Sequence, residues 1–353
     1  MKEKFIKIGV GILIGIVTLL FIGFMILFVT EYCPDEVERL TSEGESIYKL
    51  EKGTSLNVVT YNLGYLSLDS SQDFFLDGGQ NVMPETEDNT KNNLYGVKRY
   101  MKEKNADIYL FQEVDYKAKR SYNVNQYEEL KAGFGGLSTF ATYHKCVFIP
   151  YPILNPVGYV HGGMAILNKY EGKTERVALD SAYSWPKSMV MFKRCLMVQR
   201  VKVEETDKEL VIINLHLEAY DNGKTRESQM EELKNIMVEE YKKGNYILVG
   251  GDFNQIFPTV DNSKYPILDD SNYSAKEIPE DFLPEGFKYA VDGSVPTTRL
   301  LDKPYSGKYE DTQLYVIDGY IVSNNIKVNS VKTVDNQFKY SDHNPVELNI
   351  TIE

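Results

Sequence analysis

The chain is poor in cysteine, nearly without tryptophan, and short of positive charge. Its three cysteines, Cys33, Cys146 and Cys195, show no metal-binding spacing. Cys146 and Cys195 each fall in a strand-like run, which suits either a pair or two buried free thiols. Lysine and arginine number 39 against 51 acids, a formal net charge of −12. That balance argues against a generic nucleic-acid binder, which shows a basic face, though it leaves room for a local basic pocket. Internal repeats and Gly/Ser linkers are also missing, so one domain is expected after the N-terminal segment.

One long apolar run is present. Gly9 to Val29 carries no charged residue, and about 20 such residues suffice for a helix to cross a bilayer. Neither an A-x-A-like site nor a lipoprotein box precedes Cys33, so the run reads as an uncleaved signal anchor rather than a cleaved leader. Lys2, Lys4 and Lys7 stand before it; Glu31, Asp35 and Glu36 follow. The positive-inside rule then predicts a single-pass protein of the cell membrane, with the N-terminus cytoplasmic and everything after Thr30 outside. The expected organisation is a tip and transmembrane anchor over residues 1–30, a polar juxtamembrane stalk or short helix over 31–55, and a catalytic domain over 56–353.

Within that domain, β-branched content and alternation predict strands at Leu56–Leu63, Asp107–Val114, Cys146–Pro150, Gly163–Asn168, Arg194–Val203, Leu210–Leu217 and Tyr246–Gly250. Two more lie near the C-terminus, in YVIDGYIVSNN (Tyr315 to Asn325) and YSDHNPVELNI (Tyr340 to Ile350). Helices are expected at Tyr95–Lys104, Tyr116–Phe134 and Arg226–Lys243, the last with Met230, Leu233, Ile236, Met237 and Tyr241 on one face. Ser67–Asn93 and Ile256–Thr297 read as long irregular segments. Strands that alternate with helices in places and run consecutively elsewhere predict a mixed sheet, or two packed sheets with helices outside.

Polar residues recur at the strand ends. Asn62 ends the first strand, Glu113 follows in FQEVD, His216 in NLHLEA, Asp252 and Asn254 in GGDFN, then Asp318, Asp342 and His343. A carboxylate beside an imidazole fixes its tautomer and raises the basicity of the other nitrogen, as a general base requires. Carboxylates, amides and two imidazoles at one sheet edge suit a hard divalent cation and a phosphate. Singly, each has a plain reading: a turn for GDFN, a satisfied core histidine for His216.

Taken in order, YNLG, FQEVD, NLHLEA, GGDFN, IDGYIVS and SDHNPV resemble the endonuclease/exonuclease/phosphatase superfamily over about residues 55–353. The resemblance implies an α/β fold, a four-layer α/β/β/α sandwich of two packed mixed sheets of the DNase I-like kind, here preceded by one transmembrane helix. It implies Mg2+, with Mn2+ as a substitute, held by Glu113, Asn62 and Asp342. It also implies a catalytic His343 polarised by Asp318. Asp252 would orient water or protonate the leaving group, and Asn254 and His216 would donate to phosphate oxygens. Arg299, in VPTTRLLDKPY, and His161, in HGGMAIL, are weaker candidates for substrate contacts; Arg120 and Arg226 read as structural.

The expected function is that of a membrane-anchored, metal-dependent phosphodiesterase or phosphatase. Residues 1–30 carry a net +2 (Lys2, Lys4 and Lys7 against Glu3), so residues 31–353 carry −14 against −12 for the whole chain. A domain so acidic disfavours a long polyanion, and an anchor holds the site near lipid. A phospholipid headgroup or small phosphoester is therefore the expected partner of a monomeric enzyme, ahead of nucleic acid for an extracellular nuclease. A catalytically dead surface binding module is the alternative of another class; it predicts damage to the catalytic set, and every member of that set is present.

Overall fold

The computed structural model describes residues 2–353 except Asn222. Two seven-stranded mixed sheets pack face to face. In one, the strands run Val37–Leu40, Gly172–Ala178, Cys195–Lys202, Glu209–His216, Tyr246–Asp252, Asp318–Ser323 and Phe287–Ala290 in spatial order. In the other the order is Ile326–Thr333, Val346–Ile352, Ser55–Asn62, Ile108–Ala118, Gly158–Asn168, Leu137–Ile149 and Ser42–Glu43.

The layering follows from which faces are apolar. Val58, Leu110 and Ile166 of one sheet meet Met197, Ile212 and Leu248 of the other in a single buried cluster. The opposite faces are covered by helices. Met230, Leu233 and Met237 of the helix Lys224–Lys242 pack on Val211, Ile213 and Val249. Leu94, Val97 and Met101 of the helix Glu87–Lys104 pack on Tyr61, Tyr109 and Phe111. Both strand faces being buried explains the near-continuous apolar runs of the central strands. The result is the expected four-layer α/β/β/α sandwich.

Residues 31–55 differ from a stalk. Val37–Leu40 pairs antiparallel with Gly172–Ala178, and Ser42–Glu43 pairs with Leu137–Ile149, so this segment adds an edge strand to each sheet. Leu50 is fully buried in the inter-sheet core. The expected helix at Tyr116–Phe134 is also replaced. The strand that holds Glu113 runs on to Ala118, and the only α-helix there is Gln126–Lys131, started by Asn125, whose side chain accepts from the Glu128 amide. The three cysteines are free, Cys33 exposed and the other two buried.

The N-terminal helix, Lys2–Val29, is long and apolar enough to cross a membrane, and none of its residues is buried.

Candidate active site

Strand direction and register place the polar residues at one edge. Ser55–Asn62 runs parallel to Ile108–Ala118, with Asn62 opposite Gln112. Glu209–His216 runs parallel to Tyr246–Asp252, with His216 opposite Asp252. Asp318 opens an antiparallel strand and so reaches the same edge, directly opposite Asp252. The segment after Lys339 then folds over this edge, where Ser341 Oγ donates to the Asn62 carbonyl at 2.8 Å. Thr298 Oγ1 donates to the Asp342 carbonyl at 3.1 Å.

Local strain aims two of the side chains. The ladder of Ile108–Ala118 slips between Phe111 and Val114, and within this bulge Glu113 has φ 53°. A non-glycine residue there is held at a conformational cost, and the bulge turns its carboxylate into the cavity. Asn254 has φ 50°, which asparagine tolerates better than most residues. Gly64 answers a different demand. At φ 51° its amide donates to Asn62 Oδ1 at 3.0 Å, and a Cβ there would stand 2.4 Å from Asp342 Oδ1.

The residues converge on an open cavity lined by Asn62, Glu113, His216, Asp252, Asn254, Asp342, His343 and several aromatic and arginine side chains. His343 Nδ1–H donates to Asp318 Oδ2 at 2.8 Å. Its Nε2 then faces Asp252 Oδ2 at 3.8 Å and Asp342 Oδ2 at 3.9 Å. Asp252 is fixed on both oxygens, by Asn62 Nδ2 at 3.0 Å and the Asn254 amide at 2.9 Å. His216 Nε2 lies 3.5 Å from Asp252 Oδ2 and 3.9 Å from Glu113 Oε1.

Burial sets the electrostatics. It works against a charge on His343, but Asp318, Asp342 and Asp252 outweigh it and push the imidazole up to about 10. Burial, then the neighbouring Asp318, raises Asp252 to about 7. Burial, then Asp342, raises Glu113 to about 8. Asp342 is raised by burial as well. His216 is driven well below its ordinary value by burial, then by Arg194 and His343, and stays neutral.

Buried carboxylates that raise one another's pKa form the donor set a hard cation relieves, and oxygen donors suit magnesium. Glu113 fits best, since its carboxylate opens on the cavity and makes no hydrogen bond among the described residues. Asp252, Asp318 and His343 also bring ligand atoms within 4.8 Å of one another. The Asp318–His343 hydrogen bond already engages two of them, which suits a proton-handling pair better than a metal cage.

Two expected substrate contacts change. Arg299 is buried at the cavity wall, but its Nη1 donates to the carbonyls of Leu300 and Lys303 and its Nη2 to those of Asp69 and Gln72. Only Nε is left without a partner. Its main effect is to hold the loop after Leu66 against the site. His161 lies outside the cavity lining. Its Nε2 is 3.0 Å from Thr142 Oγ1, its ring packs on Tyr116, and the two glycines after it serve strand pairing. Asn254 offers less than expected too, because its Nδ2 donates to the Leu217 carbonyl and its Oδ1 accepts from Tyr273. Arg226 is structural, bonded to Asp221 and the Asn254 carbonyl.

Arg194 joins the site without a signal in the sequence. It is buried at the cavity wall with Nη1 unpartnered among the described residues, while Nε lies 3.8 Å from Glu218. An unsatisfied buried guanidinium facing a cavity is a ready anion donor. Arg120 also lines the cavity, although its fork is engaged by Asp115 at 2.8 Å and its plane covers the Tyr65 ring.

Residues 89–310 match the model of the Endonuclease/Exonuclease/phosphatase family. The chain belongs to that family. Solved structures agree on the fold. An endonuclease/exonuclease/phosphatase from Beutenbergia cavernae superposes with a TM-score of 0.54 at 13% identity, covering 84% of this chain and 72% of that one. One from Bacteroides vulgatus gives 0.51 at 18% identity, covering 85% and 100%. The human Nocturnin catalytic domain with bound sulfate gives 0.51 at 16% identity, covering 89% and 98%. No curated protein matches the chain.

Proposed function

We propose that the chain is a membrane-anchored, divalent-metal-dependent phosphoester hydrolase whose substrate is a phospholipid headgroup or a small phosphoester. The supporting observation is the Asp318–His343 pair aimed across the cavity at Asp252, with Glu113 opposite and a buried arginine donor at the wall. The intact set favours an enzyme over a binding module.

Glu113 would hold the metal, with Asn62 and Asp342 beside it. Magnesium, when bound, would stabilise charge building on the phosphoryl and leaving oxygens. The protein residues do the rest. Asp252, pushed to about 7, is poised near neutrality and can take a proton from an attacking water. Its two hydrogen bonds fix the angle of attack. Protonated His343 presents Nε2–H to a phosphate oxygen, with Asp318 holding the ring. Neutral His216 and the Arg194 guanidinium at the cavity wall add donors.

The helix Lys2–Val29 is the proposed anchor, N-terminus in the cytoplasm and domain outside, from the lysines before the apolar run and the acids after it. The −14 of residues 31–353 supports a single phosphoester over a nucleic-acid polymer.

The deciding assay stalls the full chain with a chelator and restores it with Mg2+ or Mn2+, offering phospholipid mixed micelles, inositol phosphates, plasmid DNA and RNA. Metal-restored cleavage of lipid or small phosphoester is expected. Cleavage confined to DNA or RNA and weakened by salt would replace this substrate class with a nuclease.

A further inference from the structure

The foot of the N-terminal helix is joined to the domain by packing. Leu27 packs on a cluster that includes Cys146, Ile149 and Val157, at the root of the hairpin joining Leu137–Ile149 to Gly158–Asn168. Phe24 meets the Trp185 ring edge-on at 5.9 Å. Just past the helix, Glu31 pairs with Lys193 at 2.8 Å.

Around this foot, apolar side chains stand bare. Ile153 and Leu154 at the hairpin tip are 84% and 99% exposed, Tyr151 is 59% and Trp185 is 58%. Single exposed apolar residues need no explanation. Tyr151, Ile153 and Leu154 share one hairpin whose root packs on Leu27, and Trp185 touches Phe24, so both groups flank the bare apolar surface of the helix.

The helix also sets their depth. Phe24 is five residues before Val29, the end of the apolar run, so at 1.5 Å per residue it lies about 7.5 Å inside that end. A ring touching Phe24 stands among the outer parts of the acyl chains, beneath the headgroup boundary where tryptophan and tyrosine concentrate. The hairpin, rooted on the Leu27 level, reaches the same boundary.

This surface leads to the active site from two sides. Tyr151 touches Phe75, Phe75 touches Phe74, and Phe74 lines the cavity. On the other side, the loop bearing Trp185 runs to Phe192 and Arg194 at the cavity wall.

We infer that Tyr151, Ile153, Leu154 and Trp185 form a wedge that seats the domain in the bilayer crossed by its own helix, with the apolar rim of the cavity against the lipid, so that the phosphate presented to the site is that of a membrane phospholipid. The inference rests on the proposed reading of Lys2–Val29 as an anchor.

Trp185 is the chain's single tryptophan, so its fluorescence reports the wedge directly. The full chain is reconstituted in phosphatidylcholine vesicles, with and without lipid brominated near the headgroup end of the acyl chain. Trp185 emission is expected to shift to the blue, to be quenched by the brominated lipid and to resist aqueous iodide. The double variant Ile153→Glu/Leu154→Glu is expected to lose at least about tenfold of its rate on vesicle phospholipid, with its rate on soluble bis(p-nitrophenyl) phosphate unchanged. Release of the chain by alkaline carbonate would overturn anchor and wedge together. A retained chain whose Trp185 is quenched by iodide and not by brominated lipid would overturn the wedge alone. An equal loss on the soluble diester would assign the hairpin to folding, and a seated chain that cleaves no phospholipid would overturn the substrate class.

Discussion

Gln112 Nε2 donates to Asn214 Oδ1 at 2.7 Å, joining the two sheets through a fully buried amide pair one residue before Glu113 and two before His216. Asn214 Nδ2 donates onward to the carbonyls of Phe111 and Ala165, each at 3.1 Å. Metal-side and donor-side residues therefore hang from one polar tie in the inter-sheet core, which Asn168 Nδ2 to Gln199 Oε1, also 2.7 Å, bridges a second time.

Asn214→Leu removes that tie and the side-chain donor to the Phe111 and Ala165 carbonyls, while Gln112 Nε2 keeps Thr60 Oγ1 and the Leu110 carbonyl. The expected loss is about 1–3 kcal/mol of stability in urea unfolding. Turnover should fall as well, because Glu113 and His216 lose their common reference. Native turnover in a destabilised variant would mean that the tie serves the core alone.

Glu113→Gln should lose most metal-stimulated activity while the fold survives, since a neutral amide is a weaker magnesium ligand. The check is rate against Mg2+ concentration: a wild-type curve would remove Glu113 from the site.

His343→Ala and Asp318→Asn should each lower turnover by about 10²–10⁴-fold, the range for one proton-transfer group. Because Asp318 acts through the His343 ring, the double variant should be little worse than the poorer single one. Losses that multiply in the double variant would show that the two act separately.

His144 gives a stability prediction away from the chemistry. Burial, then repulsion from Arg120, lowers its pKa from 6.5 to about 3, and Nδ1 has no partner. Between those two values the unfolded chain binds a proton that the folded chain refuses. Stability therefore drops as pH falls from 6.5 toward 3, by up to about 1.4 kcal/mol per pH unit from this group. His144→Gln, which can keep the bond to the Val190 carbonyl, should flatten that limb of the Tm–pH curve. Parallel curves for the two proteins would count against it.

The central strands were legible because both of their faces are buried and their apolar runs are unbroken. The edges were not. Val37–Leu40 and Ile326–Thr333 at sheet edges, and Gly172–Ala178 next to one, have one solvated face and carry charged residues, which blunt the period-2 signal. The Tyr116–Phe134 helix failed because the bulge at Glu113 resets the strand and lets it run on. Asn62, Asp252, Asp318 and His343 were readable from their places at strand ends, where register alone brings them together. Arg194 was not: an arginine at the head of an apolar strand carries no chemical signature, and only the structure tells that Arg299 is spent on carbonyls. His161 misled because a histidine before two glycines looks the same whether the glycines admit a ligand or a neighbouring strand.

The two edge strands within residues 31–55 bear on how the molecule searches. With Glu31 already paired to Lys193 and Val37 already in a sheet, the chain has almost no slack between helix and domain. In a bilayer such a protein cannot swing out to fish in bulk solution. With the proposed anchor and lipid substrate, its encounters would become a planar problem, set by lateral drift through neighbouring lipids, and turnover would track the surface density of substrate rather than its total amount in the suspension.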